Sequence, residues 1–319
     1  MDERRKVELL RGLVRMLVEE RCEREGRGRG GWAFAGLGEP EAYEALAATP
    51  GATADELWRA FRSLVNVRPP WPVSDAFLRA QDELLQGLIA EAGVSTVTDA
   101  LPVPATAGSD ASACAGGVAG GGEGDSDTSN KGDAARAGAP LFLWRGDITT
   151  FAADAVVNAA NAQMMGCWAP LHYCIDNAIH TFAGVQLRAE CARLMREQGH
   201  DEPTGQAKVT PAYNLPARLV VHTVGPIAAG RPTDEHRAQL AQSYRSCLEA
   251  ADAAGAHSIA LCGISTGVFG FPLEEAARIA VRTVRAWAAD HPHAFAGGIV
   301  FDAFLEREEA VYRDVLGMA

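Results

Sequence analysis

Two cysteines and a histidine lie within eight residues of one another near the middle of the chain, at Cys167, His172 and Cys174. Two thiolates and an imidazole are ligands that suit tetrahedral zinc. Only three ligands are evident, which leaves a fourth position for water or substrate, as in catalytic zinc sites. The alternative is a pair of buried cysteines beside a partly exposed histidine. A cysteine nucleophile needs only one thiolate, so the presence of two favours a metal site.

An acidic residue and a second histidine follow this cluster. Asp176 and His180 are four residues apart, which places both on one face of a helix. A carboxylate at this point could orient or deprotonate a water whose pKa a nearby metal ion lowers. It could also simply stabilise the helix dipole from the N-terminal end. We expect Asp176 to act in catalysis and His180 to support the site through a bond to a backbone carbonyl.

A glycine-rich segment, GISTGVFG, runs from Gly263 to Gly270 and follows an apolar run. Glycines let backbone amides approach a diphosphate without clashes from Cβ atoms. The segment lacks the GK[ST] ending of an ATPase phosphate loop, which favours a diphosphate that is bound but not cleaved. Taken alone, the segment also fits an ordinary turn between a strand and a helix.

The elements that position these residues alternate between strands and helices after Pro140. Strands are predicted for LFLWR, DAVVNAAN, AKVTPAY, RLVVHTVG, HSIALCGIS and GGIVFDAF, and helices for Cys174–Gln198, Thr233–Ala253, Leu273–Ala288 and EREEAVYRDVL. This alternation indicates an α/β fold of three layers, with a mixed, mostly parallel central sheet between helices. Ligands bind such sheets at the carboxyl ends of the strands, where GDI, NAAN and GISTGVFG are found.

The rest of the chain divides into two further parts. Residues 1–104 are predicted to form a helical N-terminal extension, in which Thr53 and Glu56 match a capping box and Ser74 or Asp75 can cap the next helix. Residues 105–139 are dominated by Gly, Ala, Ser and Asp, so they cannot bury enough apolar surface to offset the entropy of ordering. We therefore predict a disordered linker or loop there, followed by one α/β domain over residues 140–319.

Composition excludes several classes of protein. Lys and Arg number 29 against 41 Asp and Glu, and this net charge of -12 disfavours a nucleic-acid binder. The N-terminal apolar stretch carries charges, unlike a signal peptide, and no uncharged apolar run is long enough to predict a membrane span. Seven cysteines without framework spacing favour reduced thiols and a cytoplasmic protein.

The motifs GDI, NAAN, VVHTVGP and GISTGVFG, taken in this order, resemble the macrodomain family, whose members bind ADP-ribose. The resemblance implies that Asp147 accepts a hydrogen bond from the adenine amino group and that the Ile148 amide contacts the ring. It also implies that Asn161 positions the distal ribose and Phe269 covers it. The full set of ligand-binding residues expected on this basis is Asp147, Ile148, Asn158, Asn161, Ser265, Thr266, Gly267, Val268, Phe269 and Gly270.

The Cys-His-Cys cluster and the N-terminal helices resemble a zinc-dependent branch of this family, whose members remove ADP-ribose from proteins. That resemblance implies zinc on Cys167, His172 and Cys174, catalytic roles for Asp176 and Asn161, and mono-ADP-ribosylated protein as the substrate. Proteins of this branch are associated with a sirtuin-like transferase and a lipoyl-carrier protein, which makes such a carrier a candidate acceptor. We expect an ester linkage through Asp or Glu, because a Lewis acid acts readily on an acyl oxygen.

Two other functions remain open at this point. A reader module would bind ADP-ribose without cleaving it, and it would need neither Asp176 nor a metal. A deacetylase of O-acetyl-ADP-ribose would use the same pocket and differ only in the acyl group that leaves. The Cys-His-Cys cluster favours catalysis over reading.

Overall fold

The computed structural model describes residues 1–26, 32, 35–104 and 138–318. The linker predicted for residues 105–139 therefore lies outside the described residues, except for its last two positions. The described residues bury two clusters of apolar side chains, one within the N-terminal helices and one around a β-sheet.

The described part of the N-terminal region contains four α-helices: α1 (Glu3–Glu25), α2 (Pro40–Ala48), α3 (Ala54–Asn66) and α4 (Asp75–Ala92). The capping box is confirmed at the start of α3, where the Thr53 hydroxyl accepts from the amide of Glu56 and the Glu56 carboxylate accepts from the amide of Thr53. Ser74 caps α4 by accepting from the amide of Phe77. These caps set where α3 and α4 begin.

The strands are β1 (Ser95–Thr96), β2 (Leu101–Pro102), β3 (Leu141–Arg145), β4 (Phe151–Ala152), β5 (Ala155–Ala159), β6 (Ala207–Pro211), β7 (Leu219–Thr223), β8 (Ser258–Leu261) and β9 (Gly298–Ala303). Seven of them form one sheet in the order β2-β3-β9-β8-β5-β7-β6. Its five inner strands are parallel, and both edge strands are antiparallel to their neighbours. The prediction of a mixed, mostly parallel sheet is confirmed.

The boundary of the N-terminal region differs from the expected one. Strand β1 pairs with β4, and β2 pairs with β3 at the edge of the large sheet. Residues 95–102 are therefore part of the α/β region, and the helical region ends at Ala92 rather than at residue 104. Sequence pattern did not reveal this because two-residue strands carry no periodicity.

The remaining helices are α5 (Ile175–Ala183), α6 (Val185–Gln198), α7 (Asp234–Ala253), α8 (Leu273–Asp290) and α9 (Glu306–Leu316). The single helix predicted over Cys174–Gln198 is wrong, because Gly184 breaks it with a φ of 95°. Residues with a Cβ atom are strained at this positive φ, which favours a glycine at the junction. Within the described residues, no helix is long and apolar enough to cross a membrane.

Candidate functional site

A cavity of about 740 Å³ opens at the carboxyl ends of the parallel strands. Its walls include two segments that we call the cysteine loop (residues 164–174) and the glycine loop (residues 263–270). Asp147 and Ile148 after β3, Asn161 after β5 and Phe304 after β9 also line the cavity. This volume lies in the range of small-molecule and cofactor sites.

Asp147 is held in a fixed orientation at one side of the cavity. Its Oδ1 atom accepts from the Thr149 amide at 2.9 Å and from the Thr149 hydroxyl at 2.7 Å, which caps a short 3₁₀ turn. Ile148, the next residue, is buried and also lines the cavity. The turn thus places a preoriented carboxylate beside an apolar surface, which suits recognition of an amino-bearing aromatic ring.

The glycine loop is folded by its own backbone bonds. The Gly270 amide donates to the Gly267 carbonyl at 3.0 Å, and the Phe271 amide donates to the Ser265 carbonyl at 2.9 Å. Ser265 and Gly270 both have a left-handed backbone, with φ of 64° and 65°. The buried Ser265 hydroxyl has no hydrogen-bond partner among the described residues.

Asn158 does not line the cavity. It is fully buried, and its Nδ2 atom donates to Asp176 Oδ1 at 2.8 Å. The expected contact between Asn158 and the ligand is therefore replaced by a contact with Asp176. Asn158 is the fourth residue of β5, and its buried side chain contacts Asp176 of α5.

Asp176 lies in the cavity wall, at the first turn of α5. Its Oδ2 atom is 3.4 Å from Asn161 Nδ2, and that same nitrogen donates to the Gly166 carbonyl at 3.0 Å. Burial raises the pKa of Asp176 to about 7, while the hydrogen bond from Asn158 opposes this shift. A carboxyl group with this environment and position is a candidate for proton transfer at a ligand.

A buried chain of hydrogen bonds supports Asn158 from below. Burial lowers the pKa of His222 to about 3, so the ring is neutral. Its Nδ1 atom accepts from Asn158 at 3.1 Å, which leaves Nε2–H to donate to Thr210 Oγ1 at 3.0 Å. His222 also lies near His180 and Cys191, but both of its ring nitrogens take part in this chain of hydrogen bonds. The chain orients Asn158 toward Asp176 instead.

The expected bond from His180 to a backbone carbonyl is absent: neither ring nitrogen has a hydrogen-bond partner in the described part of the chain. Its Nε2 atom lies 3.6 Å from Asp176 Oδ1. Burial holds the pKa of His180 well below its ordinary value, which keeps the ring neutral. His180 therefore packs beneath the catalytic candidate without an ion pair.

The cysteine loop brings its three predicted ligands together. His172 Nδ1 lies 3.3 Å from Cys167 Sγ and 3.1 Å from Cys174 Sγ. Sulfur and nitrogen ligands of one tetrahedral zinc ion are separated by about 3.5 Å, so these half-buried side chains fit that ion. The hydrogen bond between the two thiols lowers the pKa of Cys167, helped by a backbone bond at Ala169, and the same bond raises the pKa of Cys174.

Several residues of the site were not found from sequence. Arg62 of α3 reaches the cavity from the helical region, and its Nη2 atom donates to Asn177 Oδ1 at 3.0 Å. Tyr173 and Phe304 form a tilted ring pair at the cavity wall, with centroids 5.7 Å apart. Phe304 could have been found because it follows the last strand. Arg62 carried no sequence signal, because only tertiary packing brings it to the site.

Comparison with known proteins gives a class that agrees with this fold and site. Residues 157–280 match the Macro domain family. Over 82% of this chain, 49% of residues are identical to a protein-ADP-ribose hydrolase of Treponema medium, of which 88% is covered. A protein-ADP-ribose hydrolase of Staphylococcus aureus strain MRSA252 is 40% identical over 82% of this chain and 85% of its own length. The chain belongs to the macrodomain family, in the branch that contains these proteins.

Two solved structures match different lengths of this chain. An Oceanobacillus iheyensis macrodomain with ADP has a TM-score of 0.51 and 34% identity, covering 57% of this chain and 92% of its own. A Trypanosoma brucei macrodomain in complex with ADP-ribose has a TM-score of 0.55 and 28% identity, covering 80% of this chain and 95% of its own. The α/β region alone cannot supply the second match, which therefore includes part of the helical region.

Proposed function

We propose that this protein is a zinc-dependent ADP-ribosyl hydrolase that removes mono-ADP-ribose from modified protein. The relatives named protein-ADP-ribose hydrolase support the reaction class. The observation that carries the zinc dependence is the cluster of Cys167, His172 and Cys174 in the wall of the same cavity as Asp176. A module that only binds ADP-ribose has no need for this combination.

Zinc held by the two thiols and the imidazole would supply a Lewis acid at the cavity wall. The chain itself provides the binding of the nucleotide. Asp147 accepts from the adenine amino group, and the Ile148 amide contacts the ring. The glycine loop, with Ser265, Thr266, Gly267, Val268, Phe269 and Gly270, surrounds the diphosphate with backbone amides.

Asn161 and Asp176 act at the distal ribose in this proposal. Asn161 positions the sugar, and Asp176 accepts a proton from the attacking water. Both oxygens of Asp176 have amide neighbours, since Asn158 donates to Oδ1 and Asn161 lies beside Oδ2. These contacts orient the carboxylate before a substrate arrives, which reduces the reorganisation that the reaction requires.

We further propose an ester of Asp or Glu as the bond that is cleaved and a lipoyl-carrier protein, modified by a sirtuin-like transferase, as an acceptor. The support for this acceptor is the resemblance of the cysteine loop and the N-terminal helices to the zinc-dependent branch. The ester is favoured because its acyl oxygen is a good partner for a Lewis acid.

The test is ADP-ribose release from two acceptors, one mono-ADP-ribosylated on acidic side chains and one on serine. We expect release from the acidic acceptor only. O-acetyl-ADP-ribose, added as a competitor, reports on the deacetylase alternative: preferential turnover of this small molecule would favour that function. Tight binding of ADP-ribose without release from either acceptor would overturn the hydrolase and leave a reader module.

A further inference from the structure

The cysteine loop has an unfavourable backbone conformation next to one of the predicted zinc ligands. Leu171, which immediately precedes His172, has a φ of 58°, and Met164 at the start of the loop has a φ of 57°. Residues with a Cβ atom rarely adopt this left-handed conformation, so surrounding contacts must hold it. Leu171 is held by a turn within the loop, in which the His172 amide donates to the Ala169 carbonyl at 3.2 Å, and by one contact from the helical region.

Asn66, the last residue of α3, provides the contact to this strained residue. Its Oδ1 atom accepts from the Leu171 amide at 2.9 Å, and its side chain is almost fully buried. Its Nδ2 atom donates to Thr181 Oγ1 at 3.0 Å, while the Thr181 hydroxyl donates to the Asn177 carbonyl. Because the Thr181 proton is already used, its oxygen can only accept from Asn66, and this sets the orientation of the Asn66 amide.

A second contact joins the end of α3 to the same loop through Arg188 of α6. Its Nε atom donates to the Met165 carbonyl at 2.7 Å, and its guanidinium carbon lies 4.4 Å from the centroid of Trp168. Its other nitrogens donate to the carbonyls of Val65, Asn66 and Arg68. One buried guanidinium therefore connects the loop with the C-terminal end of α3.

We propose that Asn66 is a positioning residue for the metal site. By holding Leu171 in its left-handed conformation, Asn66 directs the His172 imidazole between the two cysteine thiols. The helical region is then a structural part of the metal site. This inference rests on the proposed zinc site, but it concerns a residue that touches neither the ion nor the substrate.

The experiment compares Asn66→Leu with Gln81→Met, which is a matched control from the same region. Gln81 is buried in α4, and its Oε1 atom accepts from the amide of Val185 at 3.0 Å, far from the cysteine loop in sequence. In each variant, one backbone N–H of the α/β region loses its acceptor, which is the side-chain amide oxygen of a buried residue in the helical region. Zinc affinity is measured by competition with a chromogenic chelator, and thermal unfolding is measured on the same samples.

We expect Asn66→Leu to weaken zinc binding about 10- to 100-fold, as removal of groups that orient metal ligands does in other proteins. Gln81→Met should lower the unfolding temperature but leave zinc affinity unchanged. Equal zinc affinity in wild type and Asn66→Leu would overturn the inference. Absence of zinc binding in the wild type would instead overturn the proposed metal site, so the two failures are distinguishable.

A second variant decides the matter if Asn66→Leu does not fold. Thr181→Val keeps Asn66 and the size of the side chain but removes the oxygen that orients the Asn66 amide. We expect a smaller loss of zinc affinity than for Asn66→Leu, with ADP-ribose binding retained. Zinc affinity equal to that of the wild type in Thr181→Val would contradict the orientation argument.

Discussion

The glycine loop and the cysteine loop line the same cavity but are held in different ways. Backbone bonds hold the glycine loop, both within it and to neighbouring residues such as Ala228 and Gly230. The cysteine loop has a backbone turn of its own, from the His172 amide to the Ala169 carbonyl, but it also depends on side chains distant in sequence, with Asn66 bound to Leu171 and Arg188 bound to Met165. Ligand binding and metal chemistry in this site thus have separate structural supports, and substitutions should separate them.

The largest expected effect is loss of release in Cys174→Ser, which removes one thiol of the cysteine loop. We expect ADP-ribose release to fall roughly 1000-fold, because the charge stabilisation from a metal ion amounts to several kcal/mol. ADP-ribose affinity, measured by calorimetry, should change little, since the glycine loop is intact. Cys247→Ala, which alters a buried cysteine elsewhere in the described structure, should retain both zinc and release.

Asp176→Asn tests the carboxylate that follows the cysteine loop and lies in the wall of the same cavity. The substitution keeps the size of the side chain but removes its ability to accept a proton, so release should fall about 100-fold or more. Zinc content should remain as in the wild type, because Asp176 is not among the predicted ligands. A variant that retains full release would show that Asp176 serves only the helix dipole and the hydrogen-bond network.

The smallest effects concern two glycines of the glycine loop. At Gly270, φ is 65° and an added Cβ would lie 3.2 Å from the Gly230 nitrogen, so Gly270→Ala should lower the free energy of unfolding by about 1–2 kcal/mol. At Gly267 an added Cβ meets nothing within 4 Å, so Gly267→Ala should be close to neutral. Denaturant unfolding measures both. Equal stability of the two variants would show that the backbone of this loop is not constrained as described.

The same comparison explains how far the sequence could predict this molecule. The strands of four or more residues, the capping box at Thr53 and the order of the ligand segments could be predicted because local sequence pattern determines them. The sequence also predicts the cluster of Cys167, His172 and Cys174, because these residues are close to one another in the chain. The glycine loop could be predicted for the same reason, because its glycines are close in sequence, although its backbone also bonds to Ala228 and Gly230.

Residues whose contacts lie far away in the sequence could not be predicted as part of the site. Asn66 and Arg62 are ordinary polar positions of an amphipathic helix until packing brings them against the cysteine loop and the cavity. Asn158 was assigned to the ligand by the resemblance of NAAN to the macrodomain motif, but the direction of its side chain depends on buried bonds to His222 and Asp176. Short strands β1 and β2 were missed because pairing, rather than composition, makes them strands.

The most direct test of the central claim is ADP-ribose release by protein stripped of metal with a chelator, before and after one equivalent of zinc is restored. ADP-ribose binding is measured on the same samples. We predict that stripping abolishes release from an acceptor modified on acidic residues, that zinc restores it, and that binding persists throughout. Release that continues unchanged after the metal has been removed would contradict the account.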